Sequence, residues 1–423
     1  MSSAAGNPRS DAFDQRRAKS LPALVLLIAL TAMAPLSVDM FLPSLPTISE
    51  EFAAREATLQ LAVTLFLVCF AGSQLFYGPF SDRHGRRPTL LVGLVLFIAG
   101  SLLALSAHSV TTLLLGRVLQ GLGGGAGPAI GQAIVLDVYG RERAGRVIAY
   151  MAIALPLAPA IAPIIGGFLH DAWGWHSVFV TLAGLGSVLL VAYIVLLPET
   201  NRRHPDAPPG AGLLADYRTL LSNRTFVTYA LIMGLMFGGQ LVFISSSSFV
   251  LIDELGLSAR LYGLSFAFVA GGIMAGAALS ARLVRRGWTH RAVLVGVTTA
   301  ASAATLLALL AWAGVHHVAA VLLPMFVVAL GLGMTRAPAM ASALVPFTAM
   351  AGLASATLGF SQMLIASGYN IAYSRVVDAS TSALATGVFI SIGASLVAVL
   401  ILRPGSGARP SVEGAPEPVA AGD

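Results

Sequence analysis

Apolar residues run along this chain in long blocks, with none of the ten-residue alternation that marks a membrane strand. Each block is about 20 residues, the length of a helix that crosses a bilayer. Twelve qualify: 21–43, 58–80, 89–108, 111–136, 146–169, 176–198, 226–251, 261–283, 291–314, 317–339, 351–375 and 382–402. The pattern predicts an all-α integral membrane protein with twelve transmembrane helices. The connections are short and polar. One of them, GPFSDRHGRR at 78–87, packs Asp82, Arg83, Arg86 and Arg87 between uncharged runs.

The longest connection runs from Glu199 to Asn223 and holds Pro205, Pro208, Pro209 and Gly210. It divides six spans from six. The expected organisation is an N-terminal segment 1–20, a six-helix bundle 21–198, a linker 199–225, a second six-helix bundle 226–402 and a disordered tail 403–423 rich in Pro, Gly and Ala. Six plus six invites a search for a repeat. Shifted by 199 residues, Ala71-Gly72 falls on Ala270-Gly271, Ser81 on Ser280, and Arg83, Arg86 and Arg87 on Arg282, Arg285 and Arg286. Asp82 falls on Ala281, so the second copy lacks the acid. The two halves are therefore expected to be pseudo-symmetric.

Composition agrees with the pattern. The 423 residues are 57% hydrophobic and 10% charged, against roughly 25% charged in soluble proteins. The net charge of +6 reflects orientation. Twenty of the 25 Lys and Arg lie in segments on one side; only Arg55, Arg260 and Arg375 lie on the other, and Arg117 and Arg336 lie within spans. By the positive-inside rule the arginine-rich side, with both termini, is cytoplasmic. The expected location is a bacterial inner membrane, crossed many times. Arg16, Arg17 and Lys19 before an apolar run and Ala32-Met33-Ala34 resemble a signal peptide, but the run is too long, and span one is expected to stay. The lone Cys69 is read as a packing residue.

Charge within a bilayer is costly and marks function by default. Asp39 in span one and Arg117 in span four are expected about 6 Å and about 9 Å from the non-cytoplasmic ends of their spans at 1.5 Å per residue. At that depth they can meet directly or across water. A nearby cation favours a carboxylate and desolvation favours the acid, so a carrier alternating the two surroundings loads and releases a proton. A static ion pair is the competing reading. Asp137 and Arg336, also 199 apart, are placed at the ends of spans four and ten, where snorkelling to the interface is the alternative. Gln74, Gln120, Gln132, Gln240, Gln362 and Asn370 are candidates to line a cavity, as are Phe66, Phe70, Phe76, Phe237 and Phe243. Glycine is dense at 121–127 and proline and glycine at 156–167, which favours close packing and bending helices.

These motifs resemble the major facilitator superfamily over residues 20–402. GPFSDRHGRRPTLL is similar to its loop 2–3 signature, through Gly78, Asp82, Arg83, Gly85, Arg86 and Arg87. LLLGRVLQGLGGGAG is similar to its span-four motif, with Arg117. LAPAIAPIIGG is similar to its span-five antiporter motif, through Pro159, Pro163, Gly166 and Gly167, with alanines and prolines where the earlier glycines stand. SVDMFLPSLP, with Asp39, narrows the resemblance to the Bcr/CflA branch of drug:proton antiporters, which includes bicyclomycin and chloramphenicol/florfenicol exporters. The resemblance implies drug efflux coupled to inward proton movement. It ties Asp39 and Arg117 to coupling and substrate binding. It has Asp82 hold the N-terminal end of span eleven, near Ala351-Gly352, in the outward-facing state, and Arg86 pair with Asp137. Leu136 departs from the branch's Arg-Asp, and Arg336 is not expected from it.

A metabolite exporter or importer of the same fold is the alternative. A channel would show a repeated pore element. No paired-acid, Ser/His or HExxH constellation is present, so no enzyme, cofactor or metal is expected. The expected partners are a small-molecule drug or metabolite, protons and the lipid bilayer, with no nucleic acid, and the chain is expected to act as a monomer.

Overall fold

The computed structural model describes residues 20–154, 157–201 and 213–402; the expected tail 403–423 and most of the N-terminal segment lie outside them. Every regular element among the described residues is helical. Twelve spans are present, in order Leu21–Asp39, Glu56–His84, Arg86–Leu105, Val110–Gly124 continued by 126–139, 141–154 continued by Leu157–Trp173, His176–Leu196, Arg224–Ser248, Ala259–Arg285, Thr289–Trp312, Val318–Leu344, Ala351–Ser374 and Thr381–Leu402. Among the described residues, nine helical segments are long and apolar enough to cross a membrane on length and composition alone. The other three have physical reasons. Span four is broken at Gly125, the described parts of span five are split at residues 155–156, which lie outside the described residues, and span eleven is diluted by Ser, Thr, Gln and Asn along 351–374.

The two halves repeat one packing scheme. Span three packs on spans four and six, span two on span four, and span one on span five; six places further on, nine packs on ten and twelve, eight on ten, and seven on eleven. The halves meet through span five against span eight and span eleven against span two, one contact being the pseudo-symmetric copy of the other.

The charged turns are tighter than the apolar blocks predict. Helix continues to His84 and resumes at Arg86, so the hinge between spans two and three is Gly85 alone, at φ +103°. Between spans four and five the break is Gly140, at φ +68°. Both lie in a region that glycine enters without a Cβ clash. Charged helix ends read as loop in sequence because they are polar, yet they are helical. In the second half the turn comes at Gly287, two residues past Arg285, the last residue of span eight. The arginines that align at a shift of 199 therefore flank the turn in the first copy and precede it in the second.

Glycines carry the packing of span four. A Cβ at Gly121 would strike the Phe66 carbonyl of span two, one at Gly123 the backbone of span three, and one at Gly127 the Leu30 carbonyl of span one. This small-residue seam draws four helices together and sets Arg117, one turn earlier, among them.

Candidate functional site

Span one stops being α-helical at Asp39 for a local reason. Pro43 has no N–H, so the Asp39 carbonyl cannot receive its i+4 hydrogen bond. The chain continues through a turn at Leu42–Ser44 and a short helix Leu45–Glu51. Twelve residues thus follow Asp39 before this path ends at Glu51, and Asp39 lies deeper than expected. It is 5% exposed and has no hydrogen-bond or ionic partner among the described residues.

Arg117 is fully buried. Its Nη1 donates to Gln120 Oε1 at 2.8 Å and to the Ser37 Oγ and carbonyl at 3.0 and 3.2 Å; Nε donates to the Ala62 carbonyl at 3.3 Å. The rings of Phe66 and Phe41 lie 4.5 and 4.9 Å from its guanidinium carbon, a cation–π arrangement. Gln120 passes the network on, donating to Ser101 Oγ at 2.8 Å. Arg117 Nη2 has no partner among the described residues. The pair expected to meet is therefore not in direct contact here. Arg117 is anchored to span one at Ser37, two residues before Asp39, and retains one unspent donor.

The remaining candidates separate. Gln74 donates to the Phe70 carbonyl of its own helix, and Gln132 is exposed. Gln240 is buried with its Oε1 unpartnered. Asn370 joins the two halves: its Nδ2 donates to Thr64 Oγ1 at 3.0 Å, and its Oδ1 accepts from Ser245 Oγ at 3.1 Å. Phe70 stacks on Phe66 and Phe243 on Phe266, while Phe237 is partly buried.

At the arginine-rich end, Arg86 is 8% exposed. Its Nε donates to Asp137 Oδ2 at 3.0 Å, and its Nη1 contacts Ser81 Oγ at 2.7 Å and the Asp82 carboxylate. Asp82 makes no hydrogen bond to span eleven among the described residues, and a Cβ at Gly352 would meet nothing within 4 Å. Gly78 is equally open, and Arg83 is exposed.

Three residues assigned to the linker belong to this cluster. Glu199 accepts from the backbone N–H groups of Arg86 and Arg87 at 2.9 and 3.0 Å, capping the N-terminus of span three. Asn201 donates to the Asp82 and Ser81 carbonyls at the end of span two, and Thr200 to Asp137. A Cβ at Gly85 would collide with the Glu199 carboxylate. The sequence signal was an acid directly after Pro198 on the side otherwise crowded with arginine.

The span-five motif packs at the opposite end. A Cβ at Gly166 would strike the Met40 carbonyl, and one at Gly167 the Ala259 carbonyl of span eight; a Cβ at Gly263 would strike the Pro163 carbonyl. Pro159 lies on the same helix, partly buried. The hydrogen bonds and ion pairs between the halves all gather toward this end among the described residues. They are Arg55–Asp378 at 3.3 Å, Arg260–Asp171 at 3.1 Å, Glu56 accepting from Ala379 N, Gln60 donating to Ser246, and Asn370 donating to Thr64. On span two, Gly72 still faces Phe360 of span eleven. One turn nearer the arginine-rich end on that stripe, Phe76 is 74% exposed. The halves close at one end and part toward the other.

Arg336 departs from its expected place. Span ten runs to Leu344, so Arg336 lies eight residues inside it, about 12 Å from that end at 1.5 Å per residue, beyond a terminal position. No group of three or more His, Cys, Asp or Glu among the described residues is arranged to hold a metal.

The family profile described as Major Facilitator Superfamily matches residues 27–368. Multidrug resistance protein D of Escherichia coli K12 is 29% identical over 341 residues, covering 81% of this chain and 85% of that protein. Multidrug resistance protein MdtL of Klebsiella pneumoniae is 30% identical over 383 residues, covering 90% and 95%. Among solved structures, a D-xylose-proton symporter aligns with a TM-score of 0.72 at 15% identity, covering 90% of this chain and 97% of that one. A bacterial homologue of the lysosomal transporter Spinster, in an inward-facing and unoccupied conformation, aligns at 0.67 and 16%, covering 94% and 96%. At these identities the structural likeness speaks for the fold.

Proposed function

The chain belongs to the Major Facilitator Superfamily, and on that premise we propose that it is a proton-coupled exporter of drug-like amphipathic molecules, of the Bcr/CflA type. The observation that carries the reading is the pairing of a buried, unpartnered carboxylate, Asp39, with a buried guanidinium that keeps one donor unspent, Arg117. An ionised carboxylate in that setting needs a counter-charge or water, and a protonated one does not. Asp39 is the proton carrier. Arg117 Nη2 takes the carboxylate, or a polar group of the substrate, in another stage of the cycle. Two relatives named for multidrug resistance support drug efflux over a metabolite cargo.

The arginine-rich end is cytoplasmic by the charge bias, so the halves close on the outside and part on the inside. Alternating access reverses this, rocking the bundles about spans two, five, eight and eleven. Protons enter from outside through Asp39 and leave to the cytoplasm as drug moves out. The protein is a multi-pass resident of the bacterial inner membrane, works as a monomer and performs no chemistry on its cargo.

The test is drug susceptibility in a pump-deficient strain expressing wild type or Asp39→Asn, with efflux measured in everted vesicles under a pH gradient. Resistance to several unrelated compounds, lost in Asp39→Asn at equal membrane abundance, is the expected result. Undiminished proton-driven efflux by Asp39→Asn would sink the assignment.

A further inference from the structure

Arg336 is the one cation of the second half that lies within a span away from its ends. It lies eight residues inside span ten and is nevertheless exposed, as expected of a side chain facing open space. It borders a small cavity of about 10 Å³ lined by Met233 and Met236 of span seven, Leu332 and Thr335 of span ten, and Gln362 of span eleven, with Met233, Met236 and Leu332 buried. Arg336 has no hydrogen-bond or ionic partner among the described residues. Between residues 255 and 377 the chain contains no Asp or Glu. At the arginine-rich end, Asp82 and Asp137 are engaged on Arg86 and Glu199 on the span-three N-terminus. Gln362 is 6% exposed, lines the same space, and its amide has no partner among the described residues.

A cation this far inside a bilayer-spanning bundle is costly unless something satisfies it. None of the described residues supplies a counter-ion in contact with it. We propose that Arg336, with the Gln362 amide beside it, is the docking site for the anionic group of an amphipathic substrate, a carboxylate or a group of like charge. Guanidinium binds carboxylate through paired, charge-assisted hydrogen bonds, so an anion gains there what a neutral analogue does not. This deepens the export reading and rests on it: the cargo class becomes amphipathic monoanions, taken from the side on which the halves part.

The test uses three probes with one apolar body and different charge: 1-naphthylacetate, 1-naphthylacetamide and 2-(1-naphthyl)ethylammonium. Their binding to the full-length protein in phosphatidylcholine nanodiscs is measured by equilibrium dialysis. Wild type is expected to bind the anion about tenfold or more tightly over the amide and the cation, the range of a hydrogen bond to a charged group. Arg336→Gln abolishes that preference, and Arg336→Lys, which keeps the charge and guards against a folding defect, retains most of it. Gln362→Ala weakens anion and amide together by a few-fold. A wild type without preference, or a preference that survives Arg336→Gln, overturns the proposal. So does its loss when phosphatidylglycerol is added to the disc, which would make a lipid headgroup the occupant. Asp39→Asn separates the two readings. It is expected to keep the anion preference while losing pH-driven movement in vesicles. Preference without pH-driven movement in wild type would refute proton-coupled export and leave the anion site standing.

Discussion

Asp39 and Arg117 are linked through the short backbone stretch that starts at Ser37. Ser37 holds the guanidinium by both its hydroxyl and its carbonyl, so the position of Arg117 is tied to the end of span one, where Pro43 frees the Asp39 carbonyl. Ser37→Ala removes one of these bonds from a charged donor, a loss of about 1–3 kcal/mol. Proton-driven efflux is expected to fall several-fold while abundance stays unchanged; an unaltered rate would mean that the carbonyl alone suffices. Glu199 is a second residue-scale case. It accepts from two N–H groups at the start of span three, where a negative charge also meets the helix dipole. Glu199→Ala is expected to destabilise the fold by about 1 kcal/mol, read as a lower Tm in detergent. A Tm equal to wild type would show that water caps the helix equally well. Charge in an uncharged block made Asp39, Arg117 and Arg336 legible from sequence. The partners of Arg117 were not, because Ser37 and Ala62 contribute oxygen atoms of a kind that every such helix carries. Glu199 was hidden for the opposite reason: it stands among polar residues that read as linker.

The twelve spans could be read from the apolar blocks, and their centres lie where the blocks place them. Their ends could not, since Arg86 and Arg285 are helical although polar. Positive-φ glycines, Gly85 and Gly140, set the turns between spans two and three and spans four and five. Close approach, by contrast, was visible as glycine density without its direction: Gly127 turns to span one, Gly167 to span eight. This contact between halves yields a prediction about span five as an element. Gly167→Val forces a side chain onto the Ala259 carbonyl, an overpacking cost of about 1–3 kcal/mol borne only when this end is closed. The closed population is expected to drop about tenfold, seen as faster thiol labelling of Gln60→Cys, buried in the seam, in a Cys69→Ser background and slower transport. Gly184→Val, at a position with open space around its Cβ, is the control and should leave both unchanged. Equal labelling in the two variants would show that the glycine serves folding alone.

At the scale of the whole molecule, the two halves hold each other by contacts placed at one end. Arg55 and Asp378 form an exposed ion pair there, and exposed pairs are worth about 0–1 kcal/mol; the glycine contacts and the buried Asn370–Thr64 bond carry more of the closure. Such a seam is weak enough to break on every cycle. We propose that Asp82 acts in the reverse state. Its carboxylate rests on Arg86 while the start of span eleven stands apart, so its proposed contact with that helix N-terminus forms only when the arginine-rich end closes. Asp82→Ala therefore should slow turnover with little change in substrate affinity, and weakened affinity at normal turnover would count against the latch. Rocking itself is tested by holding the seam shut. In a Cys69→Ser background, cross-linking Arg55→Cys to Asp378→Cys is expected to stop transport, because the halves can no longer part at that end. Phe76→Cys, on the face of span two that the parted halves expose, should stay reactive to a thiol reagent from the arginine-rich side in the locked protein. Reduction of the cross-link should restore transport. Normal turnover with the link intact would show that substrate passes without this end opening, and rocking about the seam would have to be abandoned.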